Sequence, residues 1–151
     1  MTDEATVTTT LDAVYQDRLL ELAASIARDG RVLASPTASG SARSRACGSR
    51  IAVQVALDGD RVTDYGQRVE ACALGSAAAS VVGAAVVGST VAEVRRAAAE
   101  LEAMLSRGGP PPTGGFGELA ALEPARAFAN RHASMQLAFR ALEKAFRSVG
   151  L

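Results

Sequence analysis

The chain has 151 residues, the size of a single domain and enough to bury a core. Sixteen Lys and Arg balance sixteen Asp and Glu, so neither a basic nucleic-acid surface nor a polybasic membrane anchor is expected. Aromatics are 4% with no Trp, which excludes a base-stacking platform, and two cysteines exclude a disulfide-rich scaffold.

Residues 1–9 read as a disordered tail of one domain spanning 1–151. The start, MTDEATVTTTLD, is acidic and lacks the basic and apolar parts of a secretory signal, so the expected compartment is the cytoplasm, where thiols stay reduced. Thr8 to Thr10 can cap a first helix whose stripe is Leu11, Val14, Tyr15, Leu19, Leu22 and Ile26, ended by Asp29-Gly30. Residues 35–46, rich in Ser, Pro and Gly, read as a loop, with a short strand possible at Val32-Leu33. Ile51, Val53, Val55 and Leu57 alternate with smaller or polar residues, as in a strand buried on one side. Asp58-Gly59-Asp60 then turns a hairpin, and Arg61 to Val69 returns. No charge appears from Ala71 to Ala92, yet the Gly and Ser content predicts a soluble helix buried on most sides, running to about Gly88, rather than a membrane span. Thr90 and Glu93 form a capping box for a helix over Val91 to about Ser106. Arg107 to Gly117 reads as a loop, and Pro124 suits the first turn of a last helix. That helix carries the stripe Phe128, His132, Met135, Phe139, Leu142, Phe146 and Val149. The expected fold class is α+β, a small antiparallel sheet with helices packed on one face.

Chemistry is sparse. No Gly-rich run ends in Gly-Lys-Ser/Thr, and carboxylates scatter along solvated faces. Cys47 precedes the first hairpin strand and Cys72 follows the second, so pairing the strands returns both thiols to one end of the hairpin. Cys72 at a helix N-terminus is expected to favour the thiolate. Two thiolates begin a soft-metal site, whereas zinc and iron–sulphur clusters want four ligands; two small core residues are the plain alternative. His132, the only histidine, is either a core residue bonded locally or a ligand facing a site.

Three stretches together resemble the iron–sulphur cluster assembly scaffolds of the IscU, SufU and NifU N-terminal type. They are Ala46-Cys47-Gly48-Ser49-Arg50-Ile51, Leu57-Asp58-Gly59-Asp60-Arg61-Val62, and Cys72-Ala73-Leu74-Gly75-Ser76-Ala77-Ala78-Ala79-Ser80. The resemblance runs from about Tyr15 to Phe146, through Phe128-Ala129-Asn130-Arg131 and Leu137 to Leu142. It departs at two positions: Ser49 stands where the family has Asp, and Ser134, or Ala133 on the other alignment, stands where it has a third Cys. The resemblance implies a non-enzymatic scaffold that binds iron or a [2Fe–2S] cluster and passes it to acceptors, with zinc or no bound metal as alternatives. The implied ligands are Cys47, Cys72 and His132. The implied partners are a cysteine desulfurase and apo iron–sulphur proteins. The alternatives are a sulphur acceptor that carries a persulfide, the enzyme-side reading, and a metal-free interaction module on the same fold.

Overall fold

The computed structural model describes residues 16–151. The 1–9 tail, the Thr8 to Thr10 cap, Leu11, Val14 and Tyr15 lie outside the described residues. Helix α1 covers residues 16–24. It buries Leu22 and packs Leu19 against the core, with Ile26 following, as the stripe predicted. The chain then reverses at Arg28, a non-glycine residue with φ 61°. Residues 28–33 run alongside the sheet, tied by Gly30 N–H to the Gln67 carbonyl (2.8 Å) and by Leu33 N–H to Gln54 Oε1 (3.0 Å). Arg28 and Arg31 both hold Asp64, at 2.9 and 2.8 Å. Arg31 first, then the Tyr65 N–H, pull the Asp64 carboxyl down to about 2.

The sheet has three antiparallel strands in the order β1-β2-β3: β1 (Ala38–Arg43), β2 (Arg50–Asp58) and β3 (Arg61–Glu70). The hairpin turns where predicted. Asp58 pairs with Arg61, and Gly59 takes φ 63° at the corner. Ile51, Val53 and Val55 are buried, so the alternation faces the core as read.

Strand β1 corrects the expected loop over 35–46, and no strand forms at Val32-Leu33: Val32 is 81% exposed and Leu33 is tucked in singly. The reason is tertiary. Ala38, Gly40 and Ala42 face the last helix, and a Cβ on Gly40 would land on the Ala141 carbonyl and 2.8 Å from the Ala145 nitrogen. Residues this small read locally as loop, but here they let a helix backbone lie directly on a strand.

Helix α2 (Ala73–Ala85) buries an unbroken run from Gly75 to Gly83, which explains the uncharged stretch; it stops three residues short of the expected Gly88. Among the described residues no helix is long and apolar enough to cross a membrane. Helix α3 (Val91–Arg107) opens on the predicted capping box, with Thr90 Oγ1 accepting from Glu93 N–H and Glu93 Oε1 from Thr90 N–H, both at 3.1 Å.

The expected last helix starting at Pro124 is also corrected. Gly114–Ala127 forms a 3-10 stretch that contains Pro124, and Phe128 breaks from helical geometry at φ −99°, ψ 74°. Tight 3-10 turns accept a residue without an N–H more readily than an α-helix interior does. The helix proper comes later, as α4 (His132–Met135) and α5 (Leu137–Ser148) separated by Gln136. Met135, Phe139, Leu142 and Phe146 are buried as the stripe requires, while Phe128 and Val149 are exposed. Helix α5 covers β1 and β2, and α2 packs beside β3, so the helices share one face.

Gly40→Ala tests this packing. Forcing α5 off β1 is expected to destabilise by about 2 kcal/mol or more, lowering the thermal midpoint by several degrees. An unchanged midpoint would show that α5 does not rest on the strand.

Candidate functional site

The site is assembled at the open end of the hairpin, where Arg50 pairs with Glu70. The β1–β2 connection closes on itself. Ser44 N–H donates to the Ser49 carbonyl (2.8 Å) and Gly48 N–H to the Ser44 carbonyl (3.0 Å), with Gly48 at φ 69°. This turn buries Ser44 and Ser49 and leaves Cys47 half-buried at its tip. Across the end, Cys72 leaves β3 in an extended conformation and is the N-cap of α2, also half-buried.

A chain of hydroxyls joins the two thiols. Cys47 Sγ lies 3.1 Å from Ser49 Oγ. Ser134 Oγ, on α4, donates to Ser49 Oγ at 3.0 Å. Cys72 Sγ lies 3.3 Å from Ser134 Oγ, and Cys72 N–H donates to Ser49 Oγ at 3.3 Å. Ser134 is 1% exposed. It reaches both neighbours because Gly75, on the first turn of α2, carries no Cβ; one placed there would overlap the Ser134 hydroxyl. Of the two residues offered for the third family position, Ser134 is the one that enters this network.

Cys47 and Cys72 are therefore brought together as their spacing predicted. His132 is engaged elsewhere: its Nε2 lies 2.8 Å from the Arg126 carbonyl, a bond made by the curl of the 3-10 stretch. Among the described residues no group of three or more His, Cys, Asp or Glu side chains is gathered as a metal site. The donor set at the hairpin end is two soft sulphurs and two hydroxyls that stay neutral near pH 7. That is half of a tetrahedral thiolate site, so the residues present do not fit a closed zinc centre.

The electrostatics are set by hydrogen bonding rather than by ions. Ser49, first, and Ser44, 3.6 Å from Cys47 Sγ, bring the Cys47 thiol down to about 6, against the partial desolvation that opposes ionisation. The Cys47 thiolate is favoured relative to that of an ordinary thiol. Sequence reading noticed Ser49 and Ser134 only as departures from a family pattern and passed over Ser44. The available signal was the spacing Ser44-x-x-Cys47-Gly48-Ser49, which folds two hydroxyls back onto the thiol once Gly48 takes a positive φ.

A Cys72→Ala background isolates the Cys47 thiol. Its alkylation rate by iodoacetamide, followed by mass, should rise through pH about 6 and level off above it. With Ser49→Ala added, the rise should move toward the ordinary thiol range near ~8.5. Identical profiles would remove Ser49 as the cause.

Comparison with known proteins follows the same outline. The family model described as the NifU-like N terminal domain matches residues 14–130, which includes both cysteines and ends before Ser134. The crystal structure of a nitrogen-fixing NifU-like protein (N-terminal) from Brucella abortus is 38% identical, covering 92% of this chain and 96% of that one, with a TM-score of 0.86. A hypothetical protein solved at 2.3 Å is 22% identical over 90% of this chain and 98% of its own, with a TM-score of 0.80. A putative iron–sulphur cluster assembly scaffold protein for the SUF system from Fervidobacterium islandicum AW-1 is 18% identical over 85% of this chain and 93% of its own, with a TM-score of 0.76. These last two show the shared fold. No curated protein matches the chain. With the family model spanning most of the sequence and a 38% identical neighbour covering nearly all of it, the chain belongs to the NifU-like N-terminal domain family.

Proposed function

We propose that this chain works in iron–sulphur cluster assembly as a scaffold-type carrier. It takes iron or a [2Fe–2S] cluster as cargo on Cys47 and Cys72 and passes it to apo acceptor proteins, with a cysteine desulfurase as the sulphur source. The observation that carries the reading is the hydroxyl-bridged meeting of two half-exposed thiols that the sequence places on either side of a hairpin. Family membership supports it, as does the scaffold role attributed to the SUF-system neighbour that shares the fold. The role is carriage rather than catalysis, in the cytoplasm, where free thiols persist.

Two thiolates leave coordination positions open. His132 is the third donor in this reading, entering only when its Nε2 exchanges the Arg126 carbonyl for the metal. Water, a small thiol or a partner side chain fills what remains. Cargo held by so few soft ligands is weakly retained, which suits handover.

A second reading is favoured by one observation, the pair of serine hydroxyls, Ser49 at 3.1 Å and Ser44 at 3.6 Å, that lie on Cys47 Sγ and favour its thiolate. A thiolate attacks sulphur, so Cys47 is suited to receive a persulfide from the desulfurase as a sulphur acceptor.

Anaerobic addition of ferrous iron and sulphide separates the readings. The wild type should develop visible absorption, Cys47→Ala and Cys72→Ala should each lose it, and His132→Ala should lose less. Absorption that survives both cysteine substitutions would remove the carrier reading. A colourless wild type that gains one sulphur on Cys47 from a desulfurase would leave the acceptor reading. A chain with neither property would be an interaction module that kept the fold alone.

A further inference from the structure

We propose that Cys47 and Cys72 also form a hydroperoxide-responsive pair, which closes into an intramolecular disulfide and thereby blocks the cargo site. The proposal rests on the carrier reading and adds a means of regulating the same site.

Four observations carry it. The chain has two cysteines in all, and both meet here. Both are half-buried, so a small oxidant in water can reach them while the pair stays on one structured surface. Ser134 and Ser49 span the gap between the sulphurs: Ser134 Oγ lies 3.3 Å from Cys72 Sγ and 3.0 Å from Ser49 Oγ, which lies 3.1 Å from Cys47 Sγ. The groups between them are hydroxyls, which cannot be oxidised by peroxide or form a mixed disulfide, so an oxidised sulphur here has one intramolecular partner.

The two sides of the site are held differently. Cys72 is fixed between the last residues of β3 and the first turn of α2. Cys47 rides on the turn 44–49, outside any helix or strand. The space where a Gly48 Cβ would stand is empty out to 4 Å. A disulfide requires the sulphurs to approach to ~2.05 Å. Closing the pair therefore requires the turn to carry Cys47 past the Ser49 and Ser134 hydroxyls, breaking the 3.1 Å contact to Ser49.

The chemistry balances with hydroperoxide as the named co-reactant. One cysteine thiolate attacks the peroxide oxygen; the O–O bond breaks, hydroxide leaves, and the cysteine becomes a sulfenic acid. The second thiol attacks that sulphur; the S–S bond forms, the S–O bond breaks, and hydroxide departs with the second thiol's proton as water. The peroxide is reduced by two electrons, and each cysteine sulphur gives up one. Neither sulphur in the product can bind iron as a thiolate, so the oxidised chain carries no cargo until a dithiol reductant reopens it.

The test uses the full chain, treated with hydrogen peroxide at a few equivalents and analysed by intact mass and by tryptic peptides. The expected product has lost about 2 Da and joins the peptides 46–50 and 69–95, with full reversal by dithiothreitol. Cys72→Ser should stop at a sulfenic acid or beyond, with no linked product. The oxidised wild type should fail to bind ferrous iron, and the re-reduced chain should regain whatever binding the untreated chain shows. Oxygen addition to either cysteine without the linked peptides would overturn the proposal, and so would disulfides joining separate chains. A linked product that binds iron as well as the reduced chain would overturn the blocking role. A wild type that links its cysteines but never binds iron defeats the carrier reading and the blocking role built on it, leaving only the peroxide-closing pair.

Discussion

A carbonyl of α5 occupies the place where a side chain would stand on β1. Gly40 makes that possible, with Ala38 and Ala42 on either side keeping the same face shallow. The contact sets how deep α5 sits, burying Leu142 and Phe146 to 0% exposure. Helix α4 is joined to α5 by a single residue, Gln136, so the depth of α5 also sets where α4 lies. Ser134 on α4 therefore meets Gly75 on α2 at a distance governed by a contact on the far strand. The site inherits its geometry from a helix lying on a nearly side-chain-free strand, and no single loop builds it.

Two buried polar side chains lock the layers together, one at the middle of α2 and one at its start. Gln67 on β3 donates from Nε2 to the Ala27 carbonyl (2.8 Å) and the Ala79 carbonyl (2.9 Å) and accepts from the Tyr65 hydroxyl (3.0 Å). It ties the sheet to α2 and to the segment that follows α1, and burial holds the Tyr65 phenol well above its usual ionisation range. Ser49 does the corresponding work at the start of α2, joining it to the β1–β2 turn and α4 through one oxygen. Each is a neutral group with its partners in place, and a satisfied neutral group is far less expensive to bury than an ion. The cation–carboxylate pairs, such as Arg95 with Glu143 and Arg50 with Glu70, stay near the surface, where they contribute little.

The elements legible in the sequence are those whose cause is local. The turn at Gly59, the alternation from Ile51 to Val55 and the Thr90–Glu93 box each carry their reason within a few residues. The meeting of Cys47 and Cys72 was legible one step further out, because a hairpin converts sequence symmetry into proximity. Strand β1 was not, because its small residues make sense only against α5. Nor was the late start of α4, which depends on a 3-10 path that periodicity does not detect. His132 shows the same limit from the other side. Its place on an apolar stripe left core and ligand roles open, and the partner it has in the structure is a carbonyl six residues earlier that the curl brings within 2.8 Å.

The bridge of hydroxyls has a consequence for charge. A metal cation entering this end of the sheet meets at most two anions of the site itself, Cys47 and Cys72, because Ser49 and Ser134 stay neutral near pH 7. Replacing an anionic ligand by a hydroxyl removes a full charge from the attraction while leaving the volume almost unchanged. Removing Ser134 altogether is different. Its oxygen accepts or donates at both Cys72 and Ser49, so Ser134→Ala would leave those groups facing a small apolar gap beside Gly75. The serines thus hold the thiols in place without adding to their charge. A site of this kind keeps its shape when empty, since hydroxyls and not a metal join its parts, and it has little charge with which to retain a cation once a better ligand set arrives.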